Sequence, residues 1–200
     1  MRKSFRICHL KTMRKLILIP IIHTSVDLGS LSESVKAHYL KRFGPSSWNR
    51  REEIVTKLWN DIQDKINVLD IDYKKVRIYQ DGLPVCGFEQ EIVGELAKAG
   101  SSNHQFILEL VGKGAELMGT EDPQLLIQEY QLHQHEKNKS LSNQEIIEQA
   151  ARLLEARDRF IAKRIDETLQ AEETGLLFLG AAHRLDTLKS TDIRVEILMS

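Results

Sequence analysis

Apolar residues recur along this chain in two rhythms. Leu16-Ile17-Leu18-Ile19-Pro20-Ile21-Ile22 and Leu176-Leu177-Phe178-Leu179-Gly180-Ala181-Ala182 are nearly unbroken apolar runs. Runs of this length read as strands buried on both faces, the habit of parallel sheets. Val76–Tyr79, Ala115–Met118 and Ile193–Leu198 are shorter candidates of the same kind. Elsewhere the period lengthens. Ile54, Leu58, Ile62, Ile66 and Leu69 return every three or four residues, with Val55 and Trp59 beside them, and predict an amphipathic helix. A longer stripe runs through Ile146, Ala150, Leu154, Ile161, Ile165 and Leu169. Two further helices are predicted over 88–99 and 104–113, each followed by glycine. Ser30-Leu31-Ser32-Glu33 and Ser142-Asn143-Gln144-Glu145 have the form of capping boxes. Gly44-Pro45 reads as a helix stop, and Asp122 as the cap of a helix opening on Pro123. Residues 136–141 read as a polar connection.

Strands alternating with helices define an α/β fold. The expected sheet has four or five mainly parallel strands with flanking helices. Paired helices between the first three strands exceed what a doubly wound fold needs and predict an extra helical layer. The link from His183 to Ile193 is short for a helical crossover, so the fifth strand is expected to run antiparallel.

The chain has 200 residues, enough for one domain with a substantial core, placed at 15–200 behind a basic tail over 1–14. That tail carries Arg2, Lys3, Arg6, Lys11 and Arg14. Its join to the first apolar run resembles the front of a secretory signal, but the run is short, contains Pro20 and lacks a small-residue cleavage site. Met13-Arg14-Lys15-Leu16 reads as a natural start, with 1–12 as an upstream extension or loose arm. A net charge of −1 argues against a nucleic-acid partner. No stretch reaches the length of a membrane helix. Two cysteines, Cys8 and Cys86, make no disulfide framework, so a reducing, cytoplasmic setting is expected. The expected partner is a small molecule or a peptide, and assembly as a homo-oligomer stays open.

The ends of the four proposed parallel strands carry His23, Asp81, Glu121 with Asp122, and His183. Ligands of open α/β sheets bind just beyond the carboxyl ends of the strands. Imidazole and carboxylate together suit zinc, manganese, cobalt or iron, and such a set leaves positions where water is activated. Each residue alone has a plainer reading: His23 bonded to a loop carbonyl, Asp81-Gly82 as a turn, Asp122 as a cap. Arg157 interrupts the apolar stripe of the long helix. A guanidinium there must either enter a polar site, holding an anionic group, or pair with a buried Asp or Glu. Asp158 and Arg159 are expected to be solvated. His133 and His135, two apart on a helix, point to different faces, while His38 and His104 read as ordinary helix residues. Cys86 reads as a half-buried structural thiol. Phosphate loops, Gly-x-Ser-x-Gly elbows and Cys-x-x-Cys pairs are absent.

Three segments, in order, resemble the TraB/PrgY–Tiki group, within the wider set that includes GumN-like and ChaN/erythromycin-esterase-like proteins. Gly180-Ala181-Ala182-His183 matches the group's second Gly-x-x-His motif. Pro20-Ile21-Ile22-His23 stands in the place of the first. Glu155-Ala156-Arg157-Asp158 resembles its Glu-Arg-Asn/Asp segment. The resemblance covers about residues 15–198. It implies a metal-dependent hydrolase, peptidase-like, with His23 and His183 on the metal and Arg157 as the motif arginine. Asp81 or Glu121 would then complete the shell or act as base, and Arg157 would hold a substrate carboxylate or an oxyanion. Three departures favour an alternative, a non-catalytic protein that binds a small ligand or peptide. Pro20 replaces a glycine, glutamate falls at 155 rather than directly before Arg157, and Gln80-Asp81 stands where an acidic residue is usual.

Overall fold

The computed structural model describes residues 13–23, 27, 32–138 and 140–198. The basic stretch over 1–12, with Cys8, and the expected Ser30 cap lie outside the described residues. Five strands and six helices follow in the order β1 (Arg14–Ile21), α1 (Ser32–Phe43), α2 (Pro45–Asn67), β2 (Val76–Gln80), α3 (Glu89–Lys98), α4 (Ser102–Gly112), β3 (Glu116–Met118), α5 (Pro123–Asn138), α6 (Asn143–Thr168), β4 (Thr174–Gly180) and β5 (Ile193–Ile197). The strands form one sheet in the order β3-β2-β4-β1-β5, and every pairing is parallel.

Alternation along each strand sends side chains to opposite faces, and each face has its own core. Ile17, Ile19 and Ile21 of β1 and Leu176 and Phe178 of β4 pack with Val55, Trp59, Ile62 and Ile66 of α2 and Phe106, Ile107 and Leu110 of α4. Leu16, Tyr79, Leu177 and Leu179 pack on the other face with Ile161 and Ile165 of α6. The first two crossovers step from β1 outward to β2 and β3 over one face. The third returns inward to β4 over the other. Crossovers of one hand must change face when they change direction. The neighbours β2 and β4 send their connections in opposite directions, to β3 and to β5, so the carboxyl ends of these strands, with β1 alongside, enclose the crevice where such sheets bind ligands.

Three expectations are corrected here. β5 is parallel to β1, not antiparallel. Residues 181–192 make the crossover without a helix, and Leu185 and Leu188 supply the apolar cover that a helix would otherwise give. Arg14 belongs to β1 rather than to a loose tail, and it is buried. The helix before the 136–141 connection continues to Asn138. The Ser142 capping box forms as expected, with Glu145 Oε2 accepting from Ser142 N at 2.9 Å. No helix among the described residues is long and apolar enough to cross a membrane.

Candidate functional site

The sequence of each strand end sets what reaches the crevice. β2 closes on Gln80, and Asp81 follows with its backbone N–H donating to Phe178 O of β4 at 2.9 Å. Its carboxylate therefore sits between strands. Oδ2 accepts from the Gly180 backbone N–H at 2.9 Å and lies 3.2 Å from His23 Nε2. Oδ1 accepts from Arg157 Nη2 at 3.0 Å and lies 3.3 Å from His183 Nε2. Gly180 is required by this approach, since a Cβ there would stand 2.6 Å from Asp81 Oδ2.

Glu121 is held beneath Asp81. The 82–87 segment pairs with 120–121 through Thr120 N to Leu83 O at 2.9 Å and Val85 N to Glu121 O at 2.9 Å. Glu121 Oε1 accepts from the Gly82 backbone N–H at 2.7 Å, where the turn needs a positive φ of 78°. Arg157 grips the same carboxylate twice, Nε to Oε2 at 2.5 Å and Nη2 to Oε1 at 2.8 Å. Its Nη1 donates to Glu129 Oε1 at 2.6 Å. Four of the five guanidinium N–H groups are thus spent on the protein's own carboxylates. Of the two readings of Arg157, the structure gives the pairing one.

His183 lies between two carboxylates. Nδ1 donates to Asp158 Oδ1 at 2.6 Å while Nε2 faces Asp81. Asp158 also accepts the Arg184 backbone N–H at 3.1 Å. The expectation that Asp158 is solvated is therefore wrong. It occupies the stripe beside Arg157 and is buried, because the 181–192 crossover folds over that flank of α6. Arg159 is exposed, as expected.

The charges tune one another. Burial alone would lower the pKa of both histidines, but the hydrogen bond and charge of Asp81 outweigh it, and both are raised. Burial would raise Asp81, yet His183 and His23 hold it well below the usual carboxylate range. Glu121 moves up, because burial and the adjacent Asp81 charge exceed what Arg157 returns. Donor atoms of Asp81, Glu121 and His183 all lie within 4.8 Å of one another.

Asp81, Arg157 and His183 floor a cavity of about 640 Å³, lined also by His23, Arg51, Glu129 and His133 and by Leu83, Ile92, Leu96, Leu126 and Leu154. Glu121 is 0% exposed and lies behind that lining. The structure therefore brings His23, Asp81, His183 and Arg157 to one cavity wall and sets Glu121 as the support beneath it. Asp122 is set apart as a helix cap, its Oδ1 accepting from Gln124 N at 2.7 Å. Cys86 is exposed rather than half-buried.

Three participants escape the sequence reading. Glu129 and His133, four apart on α5, share the cavity wall, and that spacing is the one signal that marks them. His104 is buried beside Ser101 and Asp27, not an ordinary helix residue. Its Nδ1 lies 2.7 Å from Ser101 Oγ and 3.2 Å from Asp27 Oδ1, and the Ser101 hydroxyl also donates to Asp27. One ring nitrogen meets both partners, so the trio is not a nucleophile relay, which needs one nitrogen for each. Ser101 acts as the N-cap of α4, accepting from His104 N at 3.2 Å.

The chain matches no family model, no curated protein and no solved structure at a significant level.

Proposed function

We propose that this protein is a metal-dependent hydrolase, peptidase-like, with its site at the carboxyl end of the sheet. The observation that carries the reading is the pair of imidazoles on one buried carboxylate, with His23 Nε2 3.2 Å from Asp81 Oδ2 and His183 Nε2 3.3 Å from Asp81 Oδ1. Arg157 supplies the cation that the adjacent charges of Asp81 and Glu121 require, which leaves the two imidazoles to serve a ligand. The second supporting feature is Asp158, which fixes the far nitrogen of His183 as carboxylates do behind metal-binding histidines. His183, Asp81 and His23 would hold a divalent ion such as zinc, manganese, cobalt or iron, supplying an activated water and a Lewis acid. Asp81, the carboxylate facing the cavity, is the candidate to complete the shell or take a proton. Glu121 and Arg157 are positioning residues that hold Asp81 in place. The resemblance to the TraB/PrgY–Tiki group points to the same two histidines.

Protein purified without chelator is expected to carry about one divalent ion per chain and to hydrolyse members of a peptide and ester panel supplemented with Mn²⁺, Co²⁺ or Zn²⁺. His183→Ala is expected to lose both properties. Metal uptake by His183→Ala equal to wild type would sink the assignment. A second reading, a non-catalytic ligand-binding protein, draws on one observation: each Asp81 oxygen already meets protein donors, so the network closes by itself. That reading expects no stoichiometric metal and no turnover.

A further inference from the structure

The cavity has two chemically opposite walls, and together they narrow its occupant. Ile92 and Leu96 of α3 face it, as do Leu126 of α5 and Leu154 of α6. All four are only partly buried. The other wall is polar, with the imidazoles of His23, His104, His133 and His183 set among charged side chains. Asp27, Asp81 and Glu129 line it against two guanidinium groups, Arg51 and Arg157. Arg157 is nearly saturated by Glu121, Glu129 and Asp81. Arg51 gives Nη2 to His23 O at 2.9 Å and Nη1 to Glu52 at 2.9 Å. Glu121 and Asp158 stand behind the wall and add two more carboxylates.

Gln80 supplies the independent sign of a ligand. It lines the cavity and is 1% exposed. Its Nε2 donates to Asp81 O at 3.1 Å, which leaves Oε1 as the acceptor, and Oε1 is buried without a hydrogen-bond partner. A buried acceptor in that state is costly and awaits a donor. An anionic ligand offers acceptors only and would leave Oε1 unmet. A neutral apolar ligand would leave Oε1 unmet.

We infer that the cavity takes a primary amine carried on an apolar group, as at the amino terminus of a peptide whose first side chain is aliphatic. The ammonium or amine N–H groups answer Gln80 Oε1 and the carboxylate wall. The side chain lies against the leucines and Ile92. The volume suits a ligand of this size. The inference rests on reading this cleft as a substrate site, and it deepens that reading toward cleavage at a free amino end.

Calorimetric binding separates the two walls. The probes are leucinamide, N-acetyl-leucinamide, glycinamide and 4-methylpentanoate, each titrated into metal-free and Zn²⁺-supplemented protein. Leucinamide is expected to bind at least about tenfold tighter than each of the others, from the charged hydrogen bonds and the isobutyl burial it alone combines. Gln80→Leu is expected to weaken leucinamide about tenfold and to leave N-acetyl-leucinamide unchanged. Should Gln80→Leu fail to fold, Leu154→Ser, at a partly buried position, is expected to weaken leucinamide about fivefold. Equal binding of 4-methylpentanoate, indifference to N-acetylation, or no binding of any probe would overturn the inference. The two proposals fail separately. A leucinamide preference without metal uptake or turnover sinks the hydrolase alone. Turnover of N-acetylated and free peptides at equal rates sinks the amine preference alone.

Discussion

Each end of the sheet buries an arginine, and the two are put to different uses. At the amino end, Arg14 donates to both oxygens of Asp192 at 3.0 and 3.1 Å and to Asp166 Oδ1 at 2.7 Å. Its remaining N–H groups reach the carbonyls of Asp166 at 2.7 Å and Leu169 at 3.0 Å, at the close of α6. All five donors are satisfied, two of them by orphan carbonyls of a helix terminus. Neither Arg14 nor Asp192 lines a described cavity. At the carboxyl end, Arg157 also meets carboxylates, but two imidazoles and a cavity of about 640 Å³ adjoin the group. A buried ion pair by itself is therefore no mark of a site. The cavity and its two imidazoles mark the second cluster.

Substitution of the arginines gives the largest expected effect. Arg157→Met leaves Asp81 and Glu121 buried beside each other, and a loss of about 3–5 kcal/mol is expected in urea unfolding. Arg14→Met is expected to cost less, about 1–3 kcal/mol, because the side chain of Asp166 is 47% exposed and water takes over its pairing. Equal losses would mean that the two clusters are energetically alike. Asp158→Asn comes next. It is expected to weaken metal binding about 10–100-fold, measured by competition with a chelating dye, while Asp192→Asn leaves it unchanged. If both or neither alter it, the carboxyl end has no special claim on a metal.

The smallest effect is in pH dependence, read on chelator-treated protein. His23 and His183 have raised folded pKa values, so the stability they contribute is fully present below their unfolded value of 6.5. It is lost as pH rises through the raised folded values. Asp81 is lowered, so its contribution is present above the unfolded 3.8 and is lost only as pH falls through its depressed folded value. The urea midpoint should therefore decline on going upward from about pH 6.5. The double variant His23→Gln/His183→Gln should flatten that slope. An unchanged slope would place the titrating groups elsewhere.

Much of this architecture is written in local patterns. The two long apolar runs became the two central strands, and Ser142 became a cap, because burial on both faces and an unsatisfied helix start each demand particular residues at short range. Arg157 could be singled out because a guanidinium in an apolar stripe is an anomaly. What it pairs with could not be read, since Glu121, Glu129 and Asp81 reach it only through strand order. The surroundings of Asp158 are hidden from the local pattern for the same reason. Its burial depends on a crossover that the sequence left without a helix, and that crossover's direction is a property of the sheet rather than of residues 181–192. Arg14 was lost among neighbouring basic residues, which carry no pattern that separates a clamp from a solvated charge. The imidazoles of His23 and His183 do meet one carboxylate, Asp81, although nothing local in either segment specifies the other.

The place of β4 has a consequence for how the molecule is made. β1 and β2 emerge from the ribosome early but are not neighbours, for the slot between them belongs to residues 174–180. Until those residues are synthesised, β1 and β2 have open inner edges, β2 being paired only with β3 on its outer side, a state prone to pairing with other chains. Insertion of this late strand closes the gap and, three residues afterwards, delivers the last imidazole. Closure of the sheet's centre and assembly of its charged cleft are thus a single late event in biogenesis.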